Sequence, residues 1–299
     1  MPIQHKLILI AKPFYQVIYN FVSWLGITSH NQLRVLLYHD IPESQFESLY
    51  NQLAYLKNDW TFINPSQFEK MVLGDLPVVG KNLLVTFDDG MLSNLEVSKK
   101  ILNPLDIKAI FFVITEFVKI NGSLNARKFA AKYIMPNSSY KDIPLNWSNL
   151  QWEDLNDLIQ QGHTIGHHTK FHTRLSECKS IVELEEEIFL SAKELENKLK
   201  VEVKHFAYTF GDVGSFSKEA MEVSKKNFNF VYSGLRGDNS KCISPFSIRR
   251  DAAATQLTNN EYAIIDNKLL EAFLSGVADF RYFFSRKKID LWTHNSFND

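Results

Sequence analysis

Leu83-Leu84-Val85-Thr86-Phe87-Asp88-Asp89-Gly90 is the stretch on which the fold turns. Residues Leu83 to Thr86 are apolar or β-branched without alternation, the pattern of a short strand buried on both faces. That strand runs directly into two adjacent carboxylates and a glycine. In parallel α/β sheets chemistry collects at the C-terminal ends of strands, and two neighbouring carboxylates repel there unless a cation or a proton offsets their charge. Read alone, the pair caps a following helix as readily as it binds an ion. Downstream, Gly162-His163-Thr164-Ile165-Gly166-His167-His168-Thr169-Lys170-Phe171-His172 supplies the missing partners. One Asp and two His form a metal-ligand set that leaves positions open for water and substrate. The two stretches together favour metal binding over capping.

Outward from this strand the chain alternates. Short apolar runs at 34–38, 61–63, 109–114, around Ile165, 205–208 and 230–233 read as strands. Helical spacing occupies 45–57, 68–73, 92–102, 152–161, 180–199 and 218–227, with one or two further helices expected within 260–284. Strand, helix and strand in succession is the βαβ signature, so the expectation is a parallel barrel or a doubly wound sheet. The rhythm breaks near 119–147, at Asn121-Gly122, Pro136-Asn137-Ser138-Ser139 and Pro144, which reads as an insertion over one mouth of the fold.

With 299 residues and 45% hydrophobic content, the chain has ample material for one large domain. A net charge of -1 gives no sign of a nucleic-acid partner. The 23 phenylalanines are assigned first to core packing. Two cysteines, Cys178 and Cys242, lack metal-type spacing and do not make a disulfide framework.

Residues 1–30 form a separate segment ahead of the main domain at 31–299. The run Ile8-Leu9-Ile10 is too short to span a membrane, and Pro13 is expected to interrupt it. No small-residue cleavage pattern follows, so no convincing signal peptide is read and a cytoplasmic protein is expected. Phe14, Val17, Ile18, Phe21, Val22 and Leu25 recur at helical spacing. Such a helix either packs on the domain or, through residues 6–25, touches the inner membrane surface, with Lys6, Lys12, Tyr15, Tyr19 and Trp24 at the interface.

Thr86-Phe87-Asp88-Asp89-Gly90 and His168-Thr169-Lys170-Phe171-His172 resemble the two metal-site motifs of the polysaccharide deacetylases, the NodB-homology carbohydrate esterases, T-F-D-D-G and H-[S/T]-x-x-H. Phe206-Ala207-Tyr208-Thr209-Phe210-Gly211 is similar to a third motif, F-A-Y-P-[YF]-G in one branch. The resemblance runs from about Val35 to about Asp251. It implies an α/β fold, a distorted (β/α) barrel of the NodB-homology type with mostly parallel strands, and metal-dependent removal of N-acetyl groups from sugars. It assigns Asp89, His168 and His172 to the metal, with zinc expected and cobalt or nickel as alternatives. Asp88 becomes the general base, and the backbone N–H of Phe210 the oxyanion donor. The residues agree on their own terms, since two imidazoles four apart can aim at one ion beside a carboxylate oxygen.

The proton donor to the departing amine sits, in this family, in a leucine-x-histidine motif on a C-terminal strand. Here Leu37-Tyr38-His39 has that form at the N-terminal side, as in a circularly permuted branch resembling the poly-N-acetylglucosamine deacetylases. His39 is therefore favoured over His294, which is placed near a frayed end. Tyr208 and Arg250 are expected to contact the substrate. Thr209 stands where the third motif has proline, loosening the backbone of the oxyanion donor. The arginine that orients the base is also missing from its usual place, with Arg249 or Arg250 as the substitute. These departures keep open a sugar-binding module without turnover, beside a deacylase of another N-acyl or O-acyl group. His163, at a helix end, is expected to be structural with a dipole-matched positive charge, and His167 to be a supporting or solvent-facing residue.

Overall fold

The run around Leu83 is a central strand of a curled parallel sheet. The computed structural model describes residues 3–24, 30–241, 244–256 and 262–294. Its strands are β1 (Gln32–Tyr38), β2 (Thr61–Phe62), β3 (Lys81–Phe87), β4 (Ala109–Val113), β5 (Thr164–His167), β6 (His205–Ala207), β7 (Phe230–Tyr232) and β8 (Asp251–Ala252), followed by a hairpin of β9 (Ala254–Gln256) and β10 (Tyr262–Ile264). The eight-stranded sheet has the order β7-β6-β5-β4-β3-β1-β8, with β2 added on β3. Its pairings are parallel. The ring closes through residues 248–253, where Ile248 bridges Tyr232 of β7 and Asp251 and Ala252 pair with Leu36 and Leu37 of β1. This is a distorted (β/α) barrel.

The missing alternation in the strands now has its cause. Val35, Leu84, Ile110, Phe112, Phe230 and Tyr232 fill one side of the sheet, while Leu36, Leu83, Val85, Phe87 and Phe111 pack under the helices on the other. Both faces are buried, so both must be apolar. Helices Phe46–Leu56, Pro65–Leu73, Trp152–Gln160 and Lys218–Asn227 lie close to their expected positions. The helix after β3 and the long charged helix after residue 180 each contain a π-helical turn, at Ser98–Leu102 and Glu186–Leu190.

The structure adds detail along the rest of the chain. Helix Ile3–Trp24 continues through Pro13, which withholds only its own N–H from the ladder. The stretch 119–147 contains the helical segments Ser123–Phe129 and Ala130–Ile134, and Phe129 and Trp147 from it join Phe117 in a separate apolar cluster. The segment after residue 250 holds the β9–β10 hairpin as well as helix Asn267–Leu274. His294 is the last residue of helix Phe283–His294. The side chains of Tyr19, Val22, Trp24 and His294, with Leu25 and Cys242, lie outside the described residues. Cys178 is a free thiol.

Candidate active site

The ends of β1, β3, β5 and β6 meet in one cavity of about 320 Å³. The β1–β3 register pairs Tyr38 with Phe87, so the residues that follow, His39 and Asp88, emerge side by side. The Asp88 backbone N–H donates to the Tyr38 carbonyl at 2.9 Å and fixes this exit. His39, Asp88, Asp89, His168, His172, Tyr208, Phe210 and Arg250 all line the cavity.

Asp89 is buried and adopts φ 74°, in the left-handed region. Its Oδ1 lies 3.5 Å from the Nε2 of His168 and 3.5 Å from the Nε2 of His172, and it has no hydrogen-bond partner. The Nδ1 of His168 lies 2.6 Å from the Ala207 carbonyl, and the Nδ1 of His172 lies 3.0 Å from the Tyr133 carbonyl. Each Nδ1 is therefore assigned the proton, because a carbonyl can only accept. That leaves both Nε2 lone pairs pointing at the unpartnered carboxylate oxygen, an arrangement that repels without a cation. A tetrahedral ion with bonds of about 2.0–2.1 Å spaces its ligand atoms roughly 3.4 Å apart. The three side chains fit a divalent metal, and the two carbonyls behind the imidazoles supply the outer hydrogen bonds such a site requires.

The loop that carries His172 is held from several directions. Thr169 and His172 have positive φ, 66° and 63°. The Thr169 hydroxyl accepts from the His172 N–H at 2.9 Å. Buried Glu187, on the π-helical turn, accepts from the backbone N–H groups of Lys170 and Phe171 at 3.0 and 3.1 Å. From the other side, Thr209 donates its hydroxyl to the Thr173 carbonyl at 2.6 Å. Thr209 thus ties the third motif to the residue that follows the second. Phe210 follows with φ 61°, its ring 4.7 Å from that of His172. Gly211 next to it must be glycine, since at φ 69° a Cβ would meet the Gly234 backbone at 2.7 Å.

Arg250 holds the other carboxylate. Its two terminal nitrogens donate to the two oxygens of Asp88 at 2.6 and 2.8 Å, and its Nε donates to the Ser233 carbonyl at 2.8 Å. The guanidinium is thereby engaged with Asp88, and it lines the same cavity in which a substrate contact was expected of it. It also supplies the orienting arginine missing from the third motif. Arg249 instead pairs with Asp290. Burial opposes ionisation of Asp88, but the charge of the paired Arg250 outweighs it and holds the carboxyl below its ordinary range. His172 is pushed down to about 4, by burial first. Tyr208 is buried against Phe216, ring centroids 4.1 Å apart.

Two histidines lie off the site. His167 is fully buried, stacked on Phe206 and Phe228, with Nε2 bonded to the Ser191 hydroxyl at 2.9 Å; it faces neither solvent nor the cavity. His163 is buried and neutral, its Nδ1 accepting the Ala109 N–H, so it carries no dipole-matching charge. The sequence analysis missed Tyr262, whose ring stacks on His39 at 5.1 Å and 9°, and Glu187. The β-branched run after Tyr262 is a weak strand signal that could have flagged the former.

The family model for polysaccharide deacetylases matches residues 76–228, about half of the chain. No curated protein matches it in sequence. Among solved structures, it is similar to IcaB from Ammonifex degensii, with a TM-score of 0.62 and 21% identity over 83% of this chain and 97% of that one. The Streptococcus pyogenes deacetylase PplD in complex with acetate has a TM-score of 0.59 and 19% identity, covering 74% and 92%. The deacetylase domain of BpsB from Bordetella bronchiseptica has 0.57 and 15%, covering 75% and 96%. At these identities the likeness is one of fold.

Proposed function

The chain belongs to the polysaccharide deacetylase family, hydrolases of carbon–nitrogen bonds other than peptide bonds, and we propose that it removes the acetyl group from an N-acetylated sugar or polysaccharide with the help of a divalent metal. The observation that carries this reading is the pairing of two unlike carboxylates in one cavity. Asp88 is locked by Arg250, and Asp89 faces two imidazole lone pairs.

Asp89, His168 and His172 would hold the ion, with zinc favoured by the His₂Asp donor set and cobalt or nickel as substitutes. When bound, such an ion polarises the acetamide carbonyl and lowers the pKa of the attacking water. Asp88, kept ionised and aimed by Arg250, takes the proton from that water as it adds to the carbonyl carbon. The Phe210 N–H, presented by the turn that Thr209 and Gly211 fix, donates to the oxygen on which negative charge develops. His39, stacked on Tyr262, gives a proton to the departing nitrogen as the C–N bond breaks. Acetate and a free amine result. Tyr208 lines the wall against which a sugar ring would rest.

The rival reading of a binding module without turnover rested on Thr209 and the absent arginine. The Thr209–Thr173 bond and the Arg250–Asp88 pair lend support to the hydrolase over that rival. The test is acetate release from N-acetylglucosamine oligomers and from a nucleotide-linked N-acetyl sugar, using metal-stripped protein with zinc, cobalt or nickel restored. Release that needs the metal and vanishes in Asp88→Asn supports the hydrolase. Tight metal binding without release from either substrate would return the weight to a binding module or another acyl substrate.

A further inference from the structure

We propose that helix Ile3–Trp24 docks the protein on an anionic lipid surface. This goes beyond the hydrolase reading and stands without it. The helix is amphipathic in the reverse sense of an ordinary surface helix. Toward the protein it presents Ile8, Lys12 and Tyr15, with Lys12 paired to Glu271 at 2.8 Å and Tyr15 packed against the core. Away from it project Leu7, Ile10, Phe14, Val17, Ile18 and Phe21, each between 59% and 69% exposed. At 3.6 residues per turn these six fall within an arc of about 100°. A stripe of that kind, left in water along a whole helix, marks a surface that something covers.

Charge decides between occupants. No Asp or Glu occurs in the chain before Asp40, whereas Lys6 is exposed beside the stripe. A second aromatic patch, Phe280, Phe283 and Phe284, is interspersed with exposed Arg281, Lys287 and Lys288. It borders the start of the helix, since His5, Arg281 and Tyr282 line one cavity. A second copy of the chain would set one acid-free, lysine-bearing helix against another. Anionic headgroups meet the charge, and acyl chains take the stripe. Among the described residues no helix is long and apolar enough to cross a membrane, so the helix would lie in the interface plane. The cavity lined by His5 shares Ala252 with the catalytic cavity.

The test sediments the full chain with sucrose-loaded vesicles of phosphatidylcholine, with and without an equal part of phosphatidylglycerol. The wild type should pellet with the mixed vesicles and less with phosphatidylcholine alone. Replacing three stripe residues together (Phe14→Gln, Val17→Gln, Phe21→Gln) should lower vesicle partitioning by about a hundredfold, with the thermal midpoint unchanged. Lys6→Glu, which leaves the stripe intact, should weaken pelleting on the mixed vesicles only. A wild type that stays in the supernatant with both vesicles overturns the proposal. So does a concentration-dependent dimer in sedimentation velocity that the triple variant abolishes, which would make the face an interface between copies. Neither outcome depends on acetate release.

Discussion

Arg250, on the barrel's closing seam, and Asp88, at the end of an interior strand, meet as a two-pronged pair, 2.6 and 2.8 Å, with both side chains almost fully buried. Asp88 leaves β3, while Arg250 lies on the segment that closes the ring between β7 and β1. The pair therefore couples completion of the barrel to the state of one carboxylate.

Removing one partner should cost more than removing both. Arg250→Met strands a buried carboxylate and should lower stability by about 3–5 kcal/mol. Asp88→Asn with Arg250→Met should recover a large part of that loss while remaining inactive. Arg250→Lys keeps the charge but loses the fork, and should lower kcat/KM roughly a hundredfold. Urea unfolding and acetate release check these. Equal stability of the single and double variants would show that the pair does not act as a unit.

Glu187 should matter to metal binding although it does not touch the metal triangle. It accepts two backbone N–H groups of the loop that carries His172. Glu187→Ala leaves both donors without a partner, and the strained His172 backbone loses its brace. Cobalt affinity, read by competition with a chelating dye, should fall by about 10–100-fold. Glu187→Gln retains an acceptor oxygen and should stay within a fewfold of wild type. Unchanged affinity in the alanine variant would remove Glu187 from the site's support.

How much of this the sequence announced depends on the range of the interaction. Asp88, Asp89, His168 and His172 declare themselves because each pair is local, and strand-end placement follows from apolar runs that need no partner to be read. Arg250 does not declare its role. Its partner is 162 positions away and only ring closure brings them together. Thr209 misleads for the same reason: a proline-to-threonine change looks like lost rigidity until Thr173 is found within reach of the hydroxyl. The β9–β10 hairpin went unread because its strands are only three residues each, too short for a period to show.

Tyr262 should govern how His39 acts. Its ring lies nearly parallel over the imidazole, 5.1 Å between centroids, and holds the plane in which the ring can deliver a proton. Tyr262→Phe preserves the stack and should leave kcat within about twofold, whereas Tyr262→Ser should lower kcat about tenfold with KM little changed. A serine variant that loses affinity instead, with kcat intact, would make Tyr262 a substrate contact.

His163 sets a pH dependence of folding that can be isolated from the active site. It is buried beneath the edge of Phe111, and its Nδ1 accepts the Ala109 N–H at 3.2 Å. Burial first, and then the Lys108 charge, push its pKa down to about 4 from the 6.5 of an exposed histidine. Between those two values the unfolded chain binds a proton that the native state refuses. The stabilisation is therefore complete above pH 6.5 and is lost as pH falls toward 4, to a total of about 3 kcal/mol. His163→Asn keeps an acceptor near the Nδ1 position but cannot titrate. The stability of wild type relative to this variant should drop by about 2 kcal/mol between pH 7 and pH 5. Taking the difference cancels the other buried histidines, which titrate alike in both proteins. A gap that stays constant over that interval in urea unfolding would mean that His163 is protonated in the native state, and that its bond to the Ala109 N–H is not the one that holds it.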